Sequence, residues 1–204
     1  MRSLWQVLLV LILLSIPSWT SAQQFVQEFP TRTLPETRPQ SIEPFEAGLR
    51  KQAEQGSAWA SMSLFGMYFS RGSSSDKAEA AMWLRRAADQ GLNIAQANVG
   101  ANYYTGHGVP QDYAEAAKWY RKAADQGYLV AQHSLGKMYA KGEGVPQDYV
   151  AAYMWLSLPP PPSWGGFVDT DILKLKEEIA GRMTPQQILE AERLIKEWKP
   201  TATK

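Results

Sequence analysis

The sequence predicts an all-α fold: a right-handed α/α superhelical solenoid of helix–turn–helix repeats with C-terminal capping helices. Three observations predict it. Gly-Val-Pro-Gln-Asp-Tyr occurs at Gly108–Tyr113 and again, 36 residues on, at Gly144–Tyr149. Ala95 and Ala131, Tyr103 and Tyr139, Gly106 and Gly142, and Trp119 and Trp155 recur at that same spacing. Between these markers, alanines and aromatics fall at three- and four-residue steps, the period of one helix face. A period of this length is a supersecondary unit that buries its apolar side only against a neighbouring copy.

The N-terminus reads as a signal peptide over residues 1–22. Arg2 precedes an apolar run from Val7 to Leu14, followed by Ile16, Pro17 and the small residues Thr20-Ser21-Ala22. The run is shorter than the roughly 20 apolar residues a bilayer span needs. Cleavage after Ala22 is therefore expected rather than a retained anchor, giving a periplasmic or secreted protein. Residues 23–44 carry Pro30, Pro35, Pro39 and Pro44 among Thr, Gln and Arg, and predict an extended, disordered linker.

The repeats span residues 45–158, divided as 45–55, 56–90, 91–126 and 127–158. The first piece is half a unit: Leu49, Lys51, Ala53, Gln55 and Gly56 match Leu84, Arg86, Ala88, Gln90 and Gly91. In the first full unit, Ala60, Leu64 and Tyr68 match Ala95, Val99 and Tyr103 at a spacing of 35. Trp83, Ala87 and Ala88 match Trp119, Ala123 and Ala124 at 36. The odd residue is placed in a loop, where Ser73-Ser74-Ser75 replaces the Gly-Val-Pro-Gln stretch. Each unit predicts two helices. Pro110 and Pro146 cannot continue the first, and the glycines beside them can take positive φ. Asp112 and Asp148 are expected N-caps of the second helix, as is Asp76 in the first unit. That helix ends at Asp-Gln-Gly, with Gly91 or Gly127 just past its end. Alanines let helix backbones approach, and Trp and Tyr fill the space that remains.

Residues 159–168 form a Pro-rich connector. Pro159–Pro162 must be extended, and Trp164 is expected to pack on the last repeat. The block reads as a rigid connector, with a ligand for a polyproline-gripping partner as the alternative. Residues 169–199 predict two capping helices. The first runs from Asp169 to Gly181. The second opens at Thr184-Pro185-Gln186-Gln187, with Thr as N-cap, Pro at the first position and Gln three residues on. Ile188, Ala191, Ile195 and Trp198 share one face of it. Glu190, Glu192, Arg193 and Glu197 make the rest polar, as the outer face of a solenoid cap requires.

These residues resemble the Sel1-like repeat family, a subclass of helix–turn–helix solenoids related to tetratricopeptide repeats. The family pattern is similar to Ala-x-x-x-Leu-Gly-x-x-Tyr-x-x-Gly-x-Gly-Val-x-x-Asp, then Ala-x-x-Trp-x-x-x-Ala-Ala-x-x-Gly. The chain fits it from Ala95 through Gly127 and from Ala131 through Trp155. It departs at Phe65, which stands where the pattern has Gly, in the first loop, and at Pro159–Pro162, which replaces the usual unit end. The resemblance implies the right-handed superhelix, the lining of a concave face by the first helices, and a role in holding other proteins.

Composition narrows the function further. The chain has no Cys, which excludes disulfides, thiol chemistry, Cys-bound metals and lipid attachment at a Cys. Some exported members of the family staple each repeat with a disulfide; this chain depends on packing instead. Removing the signal removes only Arg2 from the charged set, leaving 20 basic against 20 acidic residues. Neither nucleic acid nor anionic lipid is an expected partner, and no stable membrane insertion follows cleavage.

Catalytic motifs are sparse. Ser-x-x-Lys occurs at Ser74–Lys77 and Ser134–Lys137, the spacing that sets a nucleophilic Ser one turn from an activating Lys in penicillin-recognising hydrolases. Some exported relatives have been described as penicillin-binding. The companion Ser-Asp-Asn and Lys-Thr-Gly elements are absent. His107 and His133 form no His-Glu-x-x-His, and the Gly-x-Gly elements follow helices rather than the strand a dinucleotide fingerprint needs. No catalytic residue, cofactor or metal is called for.

A binding surface remains. By analogy with tetratricopeptide-like stacks, its inward residues are Trp59, Met62 and Phe69, then Ile94, Ala97, Ala101 and Tyr104, then Val130, His133, Lys137 and Lys141. Such a groove would be aromatic at one end and cationic at the other, suited to an extended peptide or a helix with an acidic end. The expectation is a non-catalytic adaptor of the bacterial cell envelope that binds a partner protein or peptide on its concave face. A cell-wall or β-lactam-binding or hydrolysing protein is the alternative, and a structural subunit of an envelope complex a third.

Overall fold

The computed structural model describes residues 43–160 and 169–201. The signal peptide, most of the linker, Pro161, Pro162 and Trp164 lie outside the described residues. Nine α-helices and no strands are present among the described residues. They are α1 (Glu43–Glu54), α2 (Ala58–Arg71), α3 (Ser74–Asp89), α4 (Asn93–Thr105) and α5 (Tyr113–Asp125). Then come α6 (Leu129–Lys141), α7 (Tyr149–Ser157), α8 (Thr170–Ala180) and α9 (Pro185–Glu197). Hairpins α2–α3, α4–α5 and α6–α7 form the three units. Between units α3 meets α4 and α5 meets α6, and both α8 and α9 pack on α7.

The turns follow from local chemistry. Asp112 and Asp148 accept hydrogen bonds from the Glu115 and Ala151 amides, as their position before a helix predicts. Each Gly-x-Gly-Val-Pro-Gln loop is closed by its Gln, whose amide donates to a carbonyl of the preceding helix. Gln111 reaches Tyr104 and Gln147 reaches Ala140, both at 2.8 Å. Each turn between units is a Schellman motif with glycine in the left-handed region. Gly91 donates to the Ala88 carbonyl and Leu92 to that of Ala87; Gly127 and Tyr128 repeat this on Ala124 and Ala123. Gly56 and Ser57 do the same on Ala53 and Gln52.

Three expectations need correction. Ser73, not Asp76, is the N-cap of α3: its hydroxyl accepts from the Asp76 amide and donates to the Asp76 carboxylate. Ser74 and Ser75 consequently belong to the first turn of α3 and not to a loop. Finally, α1 begins at Glu43, so Glu43 and Pro44 form its first turn rather than the end of the linker. Proline is tolerated there because a first-turn amide has no partner within the helix.

The core is alanine and tryptophan. Ala87, Ala123, Ala131 and Ala152 are fully buried, and Trp83, Trp119 and Trp155 keep only 2–3 % exposure. Gly100 and Gly136 face Tyr120 and Leu156 so closely that a Cβ at Gly136 would lie 2.7 Å from Leu156 Cγ. Phe65 occupies the corresponding place in the first unit. There it packs, half-buried, against the clusters that hold Trp83 and Leu84.

Truncating Trp119 to Ala is expected to cost about 3–5 kcal/mol in denaturant unfolding. The two copies of the hexapeptide should respond unequally to Ala at their first glycine. Gly108 has positive φ and open space around it, so only the backbone cost of about 1–2 kcal/mol applies. A Cβ on Gly144 would overlap the backbone carbonyl of Tyr113, so Gly144→Ala should lose at least twice as much.

Candidate functional site

The eleven residues assigned to the inner surface divide three ways. Trp59 and Phe69 on α2 are 68 % and 60 % exposed, and Val130 on α6 is 46 % exposed. Lys137 and Lys141 are also exposed, and Met62, Ile94, Ala101 and Tyr104 are partly buried. Ala97 is buried in the cluster around Tyr120 and Leu135 and lines no groove. Its methyl is too short to emerge where its counterparts Met62 and His133 do. This corrects the expectation for that residue.

His133 also departs from it. It lines a cleft of about 190 Å³ with Leu129, Leu156, Pro159, Asp169 and Lys176, and so faces the capping helix α8. Burial pushes its pKa below the usual 6.5, with Asp169 opposing and Lys137 and Lys176 adding to the effect. The C-terminal cap, invisible to repeat spacing, claims this side chain.

Tyr104 links two units. Its hydroxyl donates to Glu143 Oε2 at 2.8 Å, and its ring meets Tyr113 with centroids 5.1 Å apart. That hydrogen bond, helped by burial, pushes the phenol pKa up to about 12. Glu143 Oε1 lies 3.6 Å from Lys141 Nζ, which offsets part of the positive charge expected at this end. The exposed surface therefore grades from aromatic on α2 to two exposed lysines on α6, Lys137 and the paired Lys141.

The serines of both Ser-x-x-Lys elements lie on helices, α3 and α6. Ser134 donates to the carbonyl of Val130 at 2.8 Å, the usual back-bond of a helical serine. Ser74 is an exposed first-turn residue of α3. Among the described residues, no group of three or more His, Asp or Glu is gathered to hold a metal ion.

Sequence reasoning missed two ladders. Arg50, Arg85 and Arg121 each lie over the Trp of the next unit, Trp83, Trp119 and Trp155, at 5.7, 4.8 and 5.2 Å from the ring centroid. Glu79 and Glu115 accept the Trp83 and Trp119 indole N–H at 3.1 Å. Glutamines tie the turns together: Gln90 donates to the Ala53 carbonyl, and Gln126 donates to the Gly91 carbonyl and to Gln96 Oε1. Both ladders recur at 35 or 36 residues, so the repeat spacing could have found them.

The Sel1 repeat matches residues 59–92, 93–128 and 129–158. The Sel1 repeat protein of Oxalobacter formigenes is 31 % identical over 74 % of this chain and 97 % of its own, with a TM-score of 0.52. The c5321 protective antigen of uropathogenic Escherichia coli, with an SLR fold, is 35 % identical over 75 % of this chain, with a TM-score of 0.61. This chain spans about a third of that antigen's length, covering 32 % of it. No functionally curated protein matches the chain.

The depressed pKa of His133 has a consequence for stability. The folded state holds the imidazole neutral while the unfolded chain takes up a proton below about pH 6.5, so stability should fall as the pH drops through that value. Melting temperatures at pH 7.5 and 5.5 test this. His133→Gln should show a shallower decline than the parent, since both proteins share every carboxylate.

Proposed function

Because the chain belongs to the Sel1 repeat family, we propose that it is a non-catalytic adaptor of the bacterial cell envelope. It holds a partner protein or an extended peptide on the surface presented by α2, α4 and α6. Sel1 repeats mediate protein–protein interaction, and the chain carries three of them.

One observation supports this surface above the rest. The chain buries Trp83, Trp119 and Trp155 almost completely, yet leaves Trp59 and Phe69 more than half exposed on a single helix. Large aromatics left in the open favour a binding role, because they supply contact area at small entropic cost. Tyr104, in register with Phe69 one unit on, extends the strip, and Lys137 adds a cation for an acidic segment. An exported location rests on the basic, apolar and small-residue pattern of residues 1–22. Among the described residues, no helix is long and apolar enough to cross a membrane.

Capture from an envelope extract tests the reading. Phe69→Ala with Tyr104→Ala, and separately Lys137→Glu, should each lower recovery of a specific partner at least tenfold. Phe69 and Lys137 are exposed, so their substitutions should shift stability by no more than about 0.5 kcal/mol. Undiminished capture by every variant would remove the surface from consideration. Mass spectrometry of the periplasmic fraction should find a mature chain beginning at Gln23, and an intact N-terminus there would contradict export by cleavage.

A further inference from the structure

The C-terminal residues show what the turns between units can hold. After α9 the chain leaves in an extended conformation and runs back to the turn between α5 and α6. The Trp198 ring packs edge-on against Trp155, with centroids 6.3 Å apart. Pro200 lies over Gly127, where an added Cβ would sit 3.5 Å from Pro200 Cβ. The Thr201 amide and hydroxyl both donate to the Asp125 carbonyl, at 2.7 and 3.1 Å. The seat thus has two parts: a bare glycine for the proline, and a helix-end carbonyl for the threonine.

The repeat makes a second seat at Asp89–Gly91. Gly91 has the same Schellman geometry and φ of +96°, and nothing lies within 4 Å of where its Cβ would be. It opens into a cleft of about 850 Å³ whose lining includes Trp59, Asn93, Lys122 and Gln126, with Thr201 at its border. The cleft therefore continues the interface that the tail already makes. Gln126, which lines the cleft, spends its amide NH2 on the Gly91 carbonyl and Gln96 Oε1, while its Oε1 is buried and, among the described residues, accepts no hydrogen bond. The third copy of the turn, at Glu54–Gly56, is less open, because Arg86 Nη2 lies 3.4 Å from the Glu54 carbonyl.

We propose that the Asp89–Gly91 turn docks an extended, proline-containing segment of a partner protein, as the Asp125–Gly127 turn holds Pro200 and Thr201. Proline lies against Gly91, and a following Thr or Ser donates to the Asp89 carbonyl. The aromatic part of the tail's seat has no copy there, because Lys122 Nζ covers Trp119 at 4.0 Å. The site adjoins the α2–α4–α6 strip and shares Trp59 with it. Trp59, at its rim, lies ten residues or about 15 Å along α2 from Phe69.

The probe is the free peptide Trp-Lys-Pro-Thr-Ala-Thr-Lys, the sequence of residues 198–204, titrated into the intact chain by calorimetry. Saturable binding is expected. Replacing Pro-Thr in the peptide by Ala-Ala should weaken it at least tenfold, while replacing its Trp by Ala should change it less than about threefold. Asn93→Trp, which fills the cleft, should abolish binding, and Lys137→Glu should leave it unchanged. Amide shifts on the parent protein give a readout that does not depend on a variant folding, and should centre on Gly91 and Leu92. No saturable binding, equal binding of the Ala-Ala peptide, or shifts confined to Gly127 would overturn the proposal. Loss of binding in Lys137→Glu with retention in Asn93→Trp would move the peptide to the α2–α4–α6 strip.

Discussion

A tryptophan in this chain cannot be buried by its own hairpin. Trp83, Trp119 and Trp155 stand on alanines of their own unit and are covered from the unit before by Arg50, Arg85 and Arg121. Each indole so enclosed joins two copies, and a cation over a desolvated ring adds about 1–2 kcal/mol to the area term. The indole N–H of Trp83 and Trp119 goes to a glutamate one turn back, which removes the cost of burying that donor. The alanines at neighbouring positions follow from the same constraint, because a larger side chain would hold the helices apart.

A stack built this way has two unfinished ends, and the chain closes them differently. At the N-terminal end the half unit α1 supplies Arg50 together with Glu46, which is 3 % exposed. Glu46 pairs with Arg71 at 2.9 Å and accepts from the Tyr68 hydroxyl. A buried carboxylate is tolerable only when so fully paired. At the C-terminal end Trp198 meets Trp155, and α8 and α9 pack on α7 with Ile172, Ile179 and Ala191 buried. The apolar side of the last unit is thereby covered without a fourth copy.

The same closure shapes the surface left open. Capping helix α8 takes His133, and the tail beyond α9 takes the turn at Gly127. The three most exposed aromatics, Phe45, Trp59 and Phe69, remain at the other end of the stack, on α1 and α2. Tyr104 and Glu143 join two units between these ends.

The sequence by itself determined the hairpins, their caps at Asp112, Asp148 and Thr184, the glycine turns and the buried Trp and Ala positions. Those features are local or recur at a fixed spacing, and a spacing is readable without coordinates. It pointed to Asp76 where Ser73 caps the helix, because both residue types suit an N-cap, they lie within three residues, and only the helix start decides between them. Tertiary structure alone decided that Ala97 is buried, that His133 turns to the cap and that the C-terminal residues lie on the Gly127 turn. Each depends on a contact between segments that no repeat relates, and periodicity carries no information about where a chain goes once the repeats have stopped.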